Sequence, residues 1–202
     1  QVGWGVSQGL PAMAADTPSI TLYTVGHGDR TLGELVAVLG EARVERVVDV
    51  RSYPSSRRHP QFCKTELGME LREAGIGYLW GGEALGGLRR ERGRSRHVAL
   101  MSAGFRAYAD HMATPGFRQA VDRLLAQAQP ARLAVMCAER LPWECHRWYL
   151  ADALVVAGAR VEHLIEMGQR RSHRLNPLAR LENGALVYDR GTTAELDLNL
   201  PA

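Results

Sequence analysis

Apolar and polar positions along the chain follow two rhythms that take turns. Ile20 to Val25, β-branched and aromatic, ends at Gly26 and predicts a first strand. Thr31 and Glu34 form a capping box that opens a helix, with Leu32, Leu35, Val36 and Leu39 on one stripe and a stop near Gly40. Arg46 to Val50 is short and nearly all apolar, as in a strand covered on both faces. Leu67 and Leu71 mark a helix from Thr65 to Ala74 that ends at Gly75, and Ile76 to Trp80 reads as a third strand. Residues 81–97, rich in Gly and Arg, have no period and predict a long loop.

The alternation continues. Phe105, Tyr108 and Met112 share a helical face, and Thr114-Pro115 caps a further helix through Phe117, Val121, Leu124, Leu125 and Ala128. Leu133 to Met136 is a fourth strand. Pro142 opens a helix with Leu150, Ala153, Leu154 and Ala157 on its core side and a stop at Gly158, and Val161 to Ile165 is a fifth strand. Asn183-Gly184, between Leu181 and Leu186-Val187-Tyr188, is a hairpin signal. Strands alternating with helices imply right-handed βαβ units. The predicted fold is therefore α/β: a mostly parallel sheet of about five strands with helices on both faces, plus a C-terminal β-hairpin. Residues 20–190 read as a single domain, 1–19 as a leader or extension with Met13 a candidate start, and 191–202 as a tail.

Composition narrows the function classes. An apolar content of 46% and a charged content of 23% over 202 residues are those of a globular domain. No apolar run approaches the roughly 20 residues that span a bilayer, so no membrane partner is expected. The N-terminus lacks the pattern of a signal peptide. Three cysteines do not make a disulfide framework, and reduced thiols in the cytoplasm are the expectation. The formal charge is +3, and all but one of the 25 basic residues are arginine. They cluster at 57–58, 89–96 and 170–174, each in a predicted loop, where guanidinium groups suit phosphate or remain solvated.

In parallel sheets, ligands bind beyond the carboxyl ends of the strands. Those ends deliver His27, then Asp49, Arg51, Arg57, Arg58 and His59, then Glu83, and finally Cys137, Glu139, Cys145, His146 and Arg147. With Cys145, His146 and Arg147 in the first turn of a helix, the N-terminal field lowers a thiol pKa or holds an anion. Three readings stand for this segment. One is a nucleophilic or redox cysteine, and another is a zinc site on Cys137, Cys145 and His146. The third is a small buried cysteine beside a satisfied core histidine. A rigid helix argues against metal, because adjacent Cys and His do not readily reach one ion. No cofactor motif is present. Asp49 and Arg51 alternate to one side of their strand and suit either mutual pairing or a binding role.

Thr24-Val-Gly-His27, Val48-Asp-Val-Arg51, Pro60-Gln-Phe62, Gly104-Phe-Arg-Ala-Tyr-Ala-Asp110, Met136-Cys-Ala-Glu139 and Leu141-Pro-Trp-Glu-Cys-His-Arg147 together resemble the family catalogued as domain of unknown function 488. The resemblance runs in order over roughly residues 20–175. It implies the α/β fold and marks these positions as the family's pattern, and it implies no particular reaction. A fainter similarity is to rhodanese-type sulfurtransferases, which also place a cysteine at the end of a late strand. Their loop returns to the helix sooner than the stretch between Cys137 and Arg147 does here.

The expectation from sequence is an enzyme-like domain that binds an anionic, phosphate-bearing small molecule or nucleotide. Cys137 or Cys145 is the candidate reactive thiol and His146 the proton carrier. Arg51, Arg57, Arg58, Arg147 and His27 are candidate ligand contacts, with Asp49 and Glu139 orienting the basic groups. A nucleic-acid-binding module using the arginine-rich loops is the alternative.

Overall fold

The computed structural model describes residues 20–191. The leader expected over 1–19 and nearly all of the expected tail lie outside them. Strands β1 (Thr21–Gly26), β2 (Arg46–Asp49), β3 (Gly77–Trp80), β4 (Leu133–Cys137) and β5 (Arg160–Glu166) are parallel, and β6 (Gln169–Ser172) runs antiparallel to β5. The sheet order is β3-β2-β4-β1-β5-β6, and β7 (Ala179–Glu182) and β8 (Ala185–Tyr188) form a separate hairpin. Six helices accompany them among the described residues: α1 (Leu32–Glu41), α2 (Lys64–Glu73), α3 (Gly82–Leu85), α4 (Ala103–Met112), α5 (Pro115–Ala128) and α6 (Arg147–Val156).

Alternation along the strands divides the core into two layers. Val25, Val47, Ala134 and Met136 pack with Leu35 and Leu39 of α1 and Leu67 and Leu71 of α2. On the other face Leu22, Val48 and Val135 meet Tyr108 of α4, Phe117 and Leu124 of α5, and Leu150 and Leu154 of α6. Every residue of β4 is buried, as its central place requires. The expected α1 capping box is present, with Thr31 accepting from the Glu34 N–H and Glu34 reaching back to Thr31. The Asn183-Gly184 turn takes the left-handed backbone that its type demands.

The elements depart from the pattern in three places. The Arg170-Arg171 cluster, expected in a loop, lies on β6. An edge strand is held by backbone pairing to β5 and needs no apolar alternation, so its polar sequence hid it. The stretch 81–97 contains α3, whose Leu85 is buried under α4 and α5. Pro142 opens only a short 3-10 turn that ends at Glu144. Cys145 is then extended (φ −135°, ψ 152°), His146 is the N-cap, and α6 begins at Arg147.

Candidate active site around Cys137 and Cys145

β1 and β2 lead toward α1 and α2 on one face, whereas β4, which lies between them, leads into α6 on the other. Neighbouring strands whose connections part in opposite directions open a crevice at their carboxyl ends. Here it is a cavity of about 700 Å³ whose wall includes His27, Arg51, Arg58, His59 and Glu139, with Cys137, Cys145 and His146 also on its lining. The sheet thus gathers residues from three strand ends.

One wall is a buried charge pair. Arg51 donates from Nε to Asp49 Oδ1 at 2.9 Å and from Nη2 to Asp49 Oδ2 at 2.6 Å, and Tyr78 Oη donates to the same carboxylate at 2.7 Å. Burial works against the Arg51 charge, but the hydrogen bonds and charge of Asp49 more than offset it, and the guanidinium pKa is raised. Arg51 Nη1 approaches His27 Nε2 at 3.2 Å, while His27 Nδ1 lies 2.9 Å from the Gly28 carbonyl. A carbonyl only accepts, so Nδ1 carries the proton and Nε2 accepts from Arg51. The Phe62 ring stacks on His27 at 4.2 Å. Burial, with Arg51 alongside, lowers the His27 pKa to about 4, so the imidazole is neutral at pH 7.

Two thiols and one imidazole nitrogen meet at the floor. Cys137 Sγ is 3.7 Å and Cys145 Sγ 3.6 Å from His146 Nδ1. The Cys137 thiol also donates toward Glu139 Oε2 at 3.5 Å. All three cysteines of the chain are free. The hydrogen bond with Cys145, together with burial, raises the Cys137 pKa. Burial also opposes ionisation of Cys145. Hydrogen bonds from Cys137 and His146, with the fields of His146 and Arg147, prevail and hold its pKa well below the usual thiol range. Gly87 leaves room for the imidazole, since a Cβ there would sit 2.5 Å from His146 Nδ1. His146 Nε2 is buried without a hydrogen-bonding partner.

Not every expected site residue reaches the cavity. Asp49 is wholly buried behind Arg51, and Arg57 is exposed and absent from the lining. Arg147 is buried beneath the loop, where its Nη2 donates to the Glu139 and Arg140 carbonyls; it props the segment that carries the cysteines. The other arginine clusters are partly engaged. Arg89 donates to the Gly86 and Glu83 carbonyls, Arg96 pairs with Glu182, Arg170 with Glu41, and Arg171 lies over Trp143.

Sequence reasoning placed His59 with Arg57 and Arg58 beyond β2, and His59 does line the cavity, but it missed Gly87 and Tyr78 as parts of the site. It also missed a buried relay beside it. Thr24 Oγ1 is 2.7 Å from His163 Nδ1, His163 Nε2 is 2.9 Å from His173 Nδ1, and His173 Nε2 is 2.8 Å from Asp152 Oδ1. Tyr188 Oη donates to Asp152 Oδ2 at 2.8 Å. No sequence spacing links these residues, which come from five different elements and loops.

A parallel α/β domain with a cysteine-bearing crevice at its strand ends is the class that this geometry defines. The chain belongs to the family described as Domain of unknown function DUF488, whose sequence signature matches residues 31–154. No curated protein and no solved structure matches it. No helix among the described residues is long and apolar enough to cross a membrane.

Proposed function

We propose that this protein is a thiol-dependent enzyme acting on a small anionic, phosphate-bearing molecule bound in the crevice. The observation that carries the reading is the pairing of two buried thiols on one imidazole nitrogen at the floor of a cavity of about 700 Å³. A thiolate at Cys145 is the nucleophile. Its attack forms a sulfur–electrophile bond and releases the leaving group with its electron pair, and the adjacent Cys137 thiol supplies the proton. Arg51, fixed by Asp49, and Arg58 and His59 on the rim provide donors for phosphate oxygens. Free thiols in this setting suit the reducing cytoplasm.

Peptide-resolved alkylation of the folded chain by iodoacetamide, followed against pH, tests this. Cys145 should reach half its maximal rate well below pH 8.5, the free-thiol value, and inorganic phosphate should slow its labelling. If Cys137 and Cys145 both react more slowly than Cys63 across neutral pH, the thiols are structural and the reading is lost.

A further inference from the structure

We infer that Cys137 Sγ, Cys145 Sγ and His146 Nδ1 form a binding site for a thiophilic divalent cation, zinc above all, with its fourth position open to the cavity. The three donor atoms lie within 4.8 Å of one another. With Zn–S near 2.3 Å and Zn–N near 2.0 Å, a tetrahedron places sulfur and nitrogen about 3.5 Å apart. The two thiol–imidazole separations are 3.7 and 3.6 Å, so these donors already stand at the spacing of an occupied site.

The objection raised by the sequence, that adjacent Cys and His on one rigid helix diverge, does not apply. Cys145 is extended and His146 is an N-cap, so consecutive side chains turn to the same point. Two thiolates and one imidazole are a donor set that favours zinc over magnesium or calcium. Two cysteines, one histidine and a free position also make up one of the known catalytic zinc arrangements. All three residues line the cavity, so that position faces whatever binds there. Glu139 approaches Cys137 Sγ at 3.5 Å and lines the same cavity. Loading releases the remaining thiol protons to solvent as both sulfurs bind as thiolates.

This inference stands apart from the thiolate reading, because a bound cation masks both sulfurs. The test uses the full chain, reduced and stripped of metal. One equivalent of Zn²⁺ should remain after gel filtration in the presence of excess Mg²⁺. Co²⁺ should give thiolate charge-transfer and tetrahedral ligand-field absorption. Cys145→Ser and His146→Ala should each weaken binding by about 100-fold, with folding checked by circular dichroism, and Cys63→Ser should bind as the parent does. A folded parent that retains no zinc, or a Co²⁺ spectrum that is lost only in Cys63→Ser, overturns the proposal. Alkylation of the stripped protein separates the two readings. A fast Cys145 without metal uptake removes the metal site alone, and uptake with slow thiols removes the nucleophile alone.

Discussion

Arg51 and His27 set each other's chemistry through a single contact. Arg51 must stay charged because Asp49 lies against it, and His27 must accept from Arg51 because its other nitrogen is committed to the Gly28 carbonyl. The guanidinium is 6% exposed and the carboxylate not at all. Removing one partner of so buried a pair strands the other charge, at a cost of about 3–5 kcal/mol. Asp49→Ala is therefore expected to lower the urea midpoint steeply and to loosen Arg51 from the Phe62 carbonyl. A midpoint within error of the parent would mean that Arg51 is solvated and free to turn into the cavity. The Val48-Asp-Val-Arg51 spacing made this pairing visible in the sequence, because alternate strand residues face one side. The third member, Tyr78, was not visible, since only parallel pairing of β2 with β3 brings it to Asp49.

At the scale of elements, the site depends on how closely the segment after β4 crosses the end of β1. A Cβ on Gly26 would lie 1.8 Å from the Glu139 carbonyl oxygen and 2.7 Å from Arg147 Nη2. Neither atom is free to retreat, because Arg147 holds that carbonyl. Gly26→Ala should thus cost 2 kcal/mol or more, about the range of severe single substitutions. It should also expose Cys137 and Cys145 to alkylation, and a variant as stable as the parent would show that the crossing is looser than described. Periodicity located β1 to β5 and most of the long helices, because burial on a sheet face or helix stripe writes its period into the chain. It failed between Pro142 and Arg147, where Pro at a first-turn position suits a 3-10 turn as well as an α-helix. That error mattered for function, since an unbroken helix would have pointed Cys145 and His146 apart.

Over the whole molecule, the buried histidines make stability depend on pH. His27 and His163 are lowered from about 6.5 to about 4 and about 3, in both cases chiefly by burial. The unfolded chain takes up protons first as pH falls. Their contribution is therefore intact above about pH 6.5 and is lost as pH drops through the folded values. For His27 alone the full loss is on the order of 3 kcal/mol. Urea midpoints measured from pH 8 to pH 4 should decline across that window, and a flat profile would mean that these imidazoles titrate as if exposed. The sheet order has a further consequence, for the timing of folding. β1 pairs with neither β2 nor β3 but with β4, Tyr23 opposite Ala134, and with β5, Thr21 opposite Arg160. Among the described strands, the first to emerge during synthesis is thus the one that waits longest for partners. Both of its hydrogen-bonding edges stay unpaired until most of the domain has emerged. Contacts so distant in sequence slow folding, and they leave an early segment open to chaperones for most of translation.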